Sequence, residues 1–583
     1  MKKFLIQIIT LAIVGTGIHG CDRFVAPPQK IQSETKTNAG HAVSKTKDKK
    51  LVSYLNYMKY SLTLSKGDMK GAKQFLEISL QNDPESTYLN KKMALLCKRL
   101  KEYKEALKYA QKALALDPSD VGTQTLLADL YSLTGNDVEA VNLYDKVLQK
   151  RPRDQRVRLI LTTIYIRQKK FHQALLHLDL LIKENPDLVI AHYYRGRIFL
   201  ETHQYQKAEK AYKAALALNE NLEPALFELG SLYQVTGKYK QAAALFESLL
   251  TSYPDNLAAR ERLVEVYYKL GLKEKAERQM DAIKNKSKPG EPSRQTLGLL
   301  YLRHGKVQES INELSMIVSA WPNDQKSRYY LGAAYEELGE YGKALEHFRK
   351  VTKDSTYFIP SQLHIAYLLD EQGQTDEAIE VLQKAISIDK KSAELYLMLA
   401  GFYETQERYS DAITVLQDGL SHNPKDVRLL FRLGVVLDKS GDKDACITKM
   451  KEVLTIDPNH AEALNYIGYT YAEQGVHLDE AMELIKKALE LKPDSGYIID
   501  SLGWVYFQKG LYDEAVKYLE KAISLTPDDP TINEHLGDAY FKKKDYKASL
   551  AHYKKALSLK HPKAEVIRKK ISRVEQILKT KKN

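Results

Sequence analysis

Leu229-Gly230-x-x-Tyr233, then Ala242-x-x-x-Phe246, then Pro254, is the stretch that decides how this chain folds. Stepping away from it in strides of 34 residues keeps landing on the same residue types, in both directions. Units begin near Ser53, Thr87, Val121, Gln155, Val189, Glu223, Leu257, Glu291, Gln325, Ile359, Ala393, Val427 and Ala461. One extra residue in Val476-His477-Leu478 shifts the register, and two more units begin near Gly496 and Pro530, fifteen in all.

Each position of the repeat has a physical reason. Where Gly230 stands, twelve units carry Gly or Ala, among them Gly196, Gly298, Gly332, Gly434, Gly468, Gly503, Gly537 and Ala94. Where Ala242 stands every unit is small, with twelve Ala plus Ser310, Cys446 and Ser549. These are the points where paired helices cross most closely, and a large side chain would hold them apart. Ten units place Tyr at the Tyr233 position, filling the space between adjacent helices, and ten place Pro at the Pro254 position, stopping the second helix. The pattern resembles the tetratricopeptide repeat, with Leu226 where that motif has Trp. The resemblance runs through residues 53–562 and implies an all-α, superhelical solenoid of about fifteen helix-turn-helix units. Residues 563–583 follow as a capping helix and basic tail: Ile567, Ile571, Val574 and Leu578 share one stripe, with Arg568, Lys569 and Arg573 elsewhere on the surface.

A chain of 583 residues would ordinarily divide into several domains, but a solenoid escapes that rule because each unit packs only on its neighbours. The formal net charge of +13 invites a nucleic-acid reading. Its distribution argues against one. Residues 1–52 hold nine Lys/Arg against three acids, and residues 563–583 hold eight against Glu565 and Glu575. The middle is left essentially neutral, so the excess positive charge lies at the two ends rather than on the repeats, and a nucleic-acid partner is not expected.

The first residues read as a separate device. Lys2 and Lys3 precede an apolar run from Phe4 to Ile18, too short for a ~30 Å bilayer core and of signal-peptide length. It ends in Ile18-His19-Gly20-Cys21, which resembles the lipobox of bacterial lipoproteins, although His19 stands where small residues are commoner. That resemblance implies removal of residues 1–20 as a signal peptide, acylation of Cys21, and attachment to the membrane of the cell envelope facing the periplasm. Asp22 resembles the residue that retains enterobacterial lipoproteins at the inner membrane, which leaves inner and outer membrane both open. Plain secretion with an incidental cysteine is the alternative. Residues 21–52 are polar, with Pro27-Pro28 and little apolar periodicity, and read as a flexible tether.

Catalysis would need a constellation that the repeat does not explain. The histidines are scattered, and no His-Glu-x-x-His, Gly-x-Ser-x-Gly, phosphate-binding loop or paired-cysteine motif occurs. Cys97 and Cys446 fall on helix-packing positions far apart in the chain. No enzyme activity, cofactor or metal is expected.

In tetratricopeptide arrays the first helix of each unit lines a groove, and the resemblance places groove side chains at the second, fifth, ninth, twelfth and thirteenth residues of each unit. The second to fifth units contribute Lys91, Lys98, Arg99, Arg156, Arg167 and Arg197 there, against Asp129 and Glu201. The ninth to eleventh contribute Glu336, Glu337, Asp370, Glu371, Glu394 and Glu404, against Lys326. The last two contribute Tyr497, Trp504, Phe507 and Phe541 beside Asp500, Glu534 and Asp538. Helix surfaces are polar by default, which is the bland account of the charged runs. Large aromatics supply buried anchors at interfaces, so Trp504 and Phe507 mark a candidate docking site for a protein or peptide.

The last units, from Ala463-Leu464-Asn465-Tyr466-Ile467-Gly468-Tyr469 to Asp500-Ser501-Leu502-Gly503-Trp504-Val505, look like those of envelope lipoproteins that serve as adaptors for carboxy-terminal processing proteases. That resemblance implies a protein-binding scaffold presenting substrates to a periplasmic protease. A scaffold for exopolysaccharide export, or for assembly of an envelope or pilus complex, is the alternative.

Overall fold

The computed structural model describes residues 40–580, with the side chains of the first helix described from Asp48 onward. Cys21 and the leader and tether residues up to 39 lie outside the described residues, as does the end of the basic tail. Every regular element among the described residues is an α-helix, 31 in number, arranged as helix-turn-helix pairs with a closing helix.

Local sequence sets the helix boundaries. Asp120, Asp154, Asp324, Asp426 and Asp529 each stand one residue before a first helix, and each carboxylate accepts a hydrogen bond from a backbone N–H of the first turn. First helices begin at Thr87, Val121, Gln155, Val189, Glu223, Leu257, Gln325, Ala393, Val427, Ala461, Gly496 and Pro530, where the repeat spacing places them. Between the helices of each pair the chain turns through one left-handed residue, save in the thirteenth, where Gly475 and His477 are both left-handed. It is glycine at, among others, Gly135, Gly237, Gly339 and Gly475, but Lys101, Lys169, His203, Glu407 and Lys544 take the same conformation.

Two boundaries differ from expectation. The first helix spans Gly40–Ser65, so residues 40–52 are helical rather than part of the tether. Lys-rich sequence without Pro or an interior Gly is compatible with helix, and the turns anchored on the next helix by Ser53 and Tyr60 propagate it backwards. The second helix of the ninth unit, Tyr341–Arg349, stops after nine residues. It runs into Thr352-Lys353-Asp354-Ser355-Thr356, whose side chains favour turns over helix interior, and Gln325 Oε1 accepts the Thr352 N–H at 2.9 Å.

The described residues divide into two compact units, one ending at Lys238 and the other beginning at Tyr239. In the first, Leu76, Met93, Ala94, Cys97, Leu130, Tyr144 and Leu161 belong to one continuous buried core. In the second, Phe348, Ile365, Leu382, Tyr396 and Leu416 form one core stretch, and Met450, Ile467, Ile485 and Leu502 another. The small positions meet as the repeat requires. A Cβ at Gly332 would lie 2.8 Å from the Phe348 ring, and one at Gly468 would lie 2.9 Å from the Ala481 carbonyl oxygen. In the last pair Ser549 Oγ donates to the Gly537 carbonyl at 2.8 Å, so the hydroxyl at the small position is satisfied across the crossing.

The fourth residue of a unit is arginine four times, as Arg158, Arg260, Arg294 and Arg328, and among the described residues it pairs with a buried carboxylate in the eighth unit alone. Arg294 and Glu313, both buried, pair across the eighth unit, with Arg294 Nη1 2.7 Å from each Glu313 carboxylate oxygen. The remaining guanidinium N–H groups donate to the Lys284 and Ser287 carbonyls and the Ser287 hydroxyl. The closing helix, Ala564–Thr580, buries Ile567 and Val574 and packs Ile571 and Leu578 beside them, as its stripe predicts.

Candidate binding face

The first-helix positions singled out above touch one another across successive repeats. Asp129, at the ninth position of the third unit, receives Lys98 Nζ from the second at 2.8 Å and Arg156 Nη2 from the fourth at 2.8 Å. Tyr144 adds its hydroxyl to the other carboxylate oxygen at 2.6 Å. Burial pushes the Asp129 carboxyl up, but the two cations outweigh it and hold it below the usual carboxylate range. Second, ninth and twelfth positions thus share one face.

Most of the expected basic stretch is answered within the chain. Lys91 pairs with Asp120 at 2.7 Å, and Arg167 donates Nε to Asp137 at 3.0 Å. Arg197 lies 3.5 Å from Glu228 and over the Tyr193 ring. Burial pushes the Glu228 carboxyl up, against hydrogen bonds from Tyr212 and Tyr193. Arg99 is exposed and makes no ion pair among the described residues.

The acidic stretch is answered in part. Glu336 lies 2.7 Å from His364 Nδ1, Glu394 takes Arg428 at 2.7 Å, and buried Glu404 takes Arg432 at 2.5 Å and Lys439 at 3.1 Å. Asp370 accepts from the Thr375 hydroxyl at 2.7 Å. Glu337 and Glu371 are exposed, with no ion pair among the described residues. The two charged runs are therefore largely ladders between neighbouring repeats, which fix helix spacing as much as they present charge.

The aromatic end is organised differently. Phe507, Trp504 and His535 form a stack, with centroids 4.6 Å apart at 9° and 4.1 Å apart at 20°. Trp504 and Phe507 are half-buried, Phe541 likewise, and Tyr497 is 60% exposed at the edge. Buried Asp500 holds His535 Nδ1 at 3.0 Å. In the last repeat, Lys570 of the closing helix reaches Glu534 at 2.7 Å and Asp538 at 2.6 Å, and Arg573 lies over the Phe541 ring. Sequence reading missed His535 and Lys570. The signal lay in spacing: Asp500 and His535 are 35 residues apart, one repeat plus one, and Glu534 and Lys570 are 36 apart.

Burial pushes the His535 imidazole down, but Asp500, with Asp538 and Glu534 behind it, reverses this and raises it above its ordinary value. A raised folded-state histidine contributes stability that is fully present below its unfolded value of about 6.5 and is lost as pH rises through the folded value. In a Trp321→Phe chain, Trp504 emission is therefore expected to be quenched by the stacked imidazolium at low pH. It recovers as pH rises past about 6.5, and His535→Gln abolishes the step. A pH-independent emission in the parent chain counts against the charged pair.

Cys97, Glu102 and Glu105 bring donor atoms within 4.8 Å of one another, the spacing of a metal site. Lys73 Nζ already holds the two carboxylates at 2.7 and 2.6 Å. Burial pushes the Cys97 thiol up to about 12, so it stays protonated and a poor ligand. The cluster is an ion pair between repeats. No helix among the described residues is long and apolar enough to cross a membrane.

Comparison with known proteins agrees with this architecture. Models described as tetratricopeptide repeat match residues 92–120, 125–158, 189–222, 236–292, 296–357, 371–433, 427–460, 461–495 and 531–560, and one described as TPR repeat matches 503–544. The chain is an all-α solenoid of tetratricopeptide repeats. A TPR repeat-containing protein of Pseudomonas aeruginosa is 46% identical over 54 residues, a stretch that spans 9% of this chain and 9% of that protein. Among solved structures, the APC/C hetero-tetramer Cut9-Hcn1 is similar over 84% of this chain and 99% of its own, at 16% identity and a TM-score of 0.35. The Naa15/Naa10 complex bound to HypK-THB is similar over 90% and 96%, at 12% identity and 0.33. MamA of Desulfovibrio magneticus is similar over 29% and 96%, at 22% identity and 0.26. At these scores the likenesses carry no argument about function.

Proposed function

We propose that this chain is a non-catalytic scaffold that binds other proteins or peptides along its first-helix face. It is anchored at the bacterial cell envelope through Cys21, faces the periplasm, and presents substrates to a periplasmic protease. The observation that carries the scaffold reading is the face itself. In the second compact unit, side chains of neighbouring first helices meet on one face, and that face includes a partly open aromatic run, Tyr497, Trp504, Phe507 and Phe541, where a partner's side chains can be desolvated. The envelope and protease readings rest on the lipobox-like Ile18-His19-Gly20-Cys21 and on the likeness of the last repeats to protease adaptors.

Affinity purification from crosslinked cells, read by mass spectrometry, is expected to return a periplasmic serine protease together with cell-wall enzymes, and purified chain is expected to speed turnover of those substrates by that protease. Trp504→Ala with Phe507→Ala is expected to weaken capture by at least about ten-fold at unchanged helicity, since central aromatic anchors carry ~2 kcal/mol or more each. Tyr497→Ser, on an exposed side chain that supports no core, serves as the second variant. Unchanged capture by both variants would sink the assignment of the aromatic end.

A further inference from the structure

From Asp48 onward the first helix, Gly40–Ser65, is apolar on two opposite sides. Its inner side carries Ser53 and Tyr60, both buried, with Tyr57 and Leu64, against the Met69–Asn82 helix. There Ser53 Oγ donates to the Ser79 carbonyl at 2.9 Å, and Ser79 Oγ returns a bond to the Ser53 carbonyl at 2.7 Å. Its outer side carries Leu51, Leu55, Met58 and Leu62, exposed by 58, 48, 54 and 59%. Their spacing of four, three and four residues makes one stripe about three turns long. Tyr54, 65% exposed, lies beside it. Elsewhere among the described residues, exposed large apolar side chains occur singly or in small groups, as on any protein surface.

The surrounding charge shows what such a stripe fits. At about 100° per residue, Lys50 falls on one border of the stripe and Lys59 on the other. Lys49, Lys66 and Lys70 add to them, and only Asp48 and Asp68 oppose, between residues 48 and 70. All five lysines are exposed, and none makes an ion pair among the described residues. The groove cations behave otherwise, since nearly all of them are paired. Lysines along both borders of the apolar stripe, Lys50 with no ion pair among the described residues and Lys59 over the Phe75 ring at 5.8 Å, complement a surface that is apolar within and anionic at its rim. A second copy of this chain would set the same lysines against one another.

We propose that the Gly40–Ser65 helix lies on an anionic lipid surface, with Leu51, Leu55, Met58 and Leu62 between acyl chains and Lys50 and Lys59 at the level of the phosphates. Tyr54 sits where an amphipathic ring belongs, at the headgroup boundary. The helix would hold the first repeat against the membrane. The inference depends neither on the aromatic end as a docking site nor on acylation of Cys21.

The test is flotation of the full chain carrying Cys21→Ser, so that no acyl group contributes, with phosphatidylcholine vesicles containing roughly one-third phosphatidylglycerol. The same chain with Leu51→Gln, Leu55→Gln, Met58→Gln and Leu62→Gln is compared; both keep residues 1–39, so any contribution from Phe4–Ile18 is common to the two. About ten-fold less flotation of the Gln chain is expected, with lower binding of the parent to pure phosphatidylcholine and at high salt. Lys50→Glu with Lys59→Glu leaves the stripe intact and is expected to lower binding to the anionic vesicles alone. Equal flotation of parent and Gln chains overturns the proposal, and so does a charge-reversed chain that binds undiminished. A parent chain that sediments as a dimer while the Gln chain is a monomer also overturns it, assigning the stripe to a second copy. Partner capture through Trp504 reads the groove independently of every one of these outcomes.

Discussion

Glu313→Ala is expected to lower the stability of the eighth repeat by about 3–5 kcal/mol, the cost of leaving a buried charge without its partner. Arg294 and Glu313 expose 7 and 5% of their side chains, so water does not replace the lost carboxylate. The guanidinium would keep its bonds to the Lys284 and Ser287 carbonyls, which supply dipoles but no compensating charge. Because a solenoid holds each repeat only by its neighbours, the loss should appear locally, as early exchange of backbone amides in the Pro292–Arg303 and Val307–Ala320 helices. A single melting temperature is the wrong readout for so long an array. Removing both charges, as Arg294→Met with Glu313→Leu, should recover most of the loss. Exchange in Glu313→Ala indistinguishable from the parent would mean that the pair is not the fastening it looks to be.

That pair also marks the limit of what the sequence makes legible. Gly230, Ala242, Tyr233 and Pro254 could be read because each solves a problem that recurs in every unit: a close crossing, a gap between helices, a stop. Recurrence turns a weak local preference into a register, and the first helices start where that register places them. Arginine recurs at the fourth residue of four units, as Arg158, Arg260, Arg294 and Arg328, but Glu313 stands opposite only one of them, and a lone carboxylate on a helix looks like ordinary surface. The charged runs were visible, yet not their pairing, because Lys98, Asp129 and Arg156 meet only through stacking of three repeats. Trp504 and Phe507 stood out by residue type, whereas His535 acquires meaning only from the stack it completes. The left-handed turn was equally recurrent, but Lys101, Lys169, His203, Glu407 and Lys544 hide it from a search for glycine.

The close crossing of the thirteenth unit gives the second large effect. Gly468→Leu is expected to cost ~3 kcal/mol, the upper end for overpacking a filled core. Even a Cβ there would sit 2.6 Å from Ile485 Cγ1 and 2.9 Å from the Ala481 carbonyl oxygen. Ile485 could turn aside; the carbonyl belongs to the second helix and moves only if the two helices part. Gly401 provides the control, since it lies within the Ala393–Thr405 helix with nothing within 4 Å of its Cβ position. Gly401→Ala should stabilise by ~0.5–1 kcal/mol through helix propensity alone. The first change should also reach the aromatic end without touching it. Tyr469 follows Gly468 directly, and its ring lies 6.4 Å from His535, so parting the helices displaces one wall of the Trp504 stack. Partner capture should therefore fall in Gly468→Leu and stay at parental level in Gly401→Ala. If Gly468→Leu exchanged its amides no faster than the parent, the crossing would be looser than these contacts require, and the small-residue rule that organises the array would fail at a crossing where backbone itself stands 2.9 Å away.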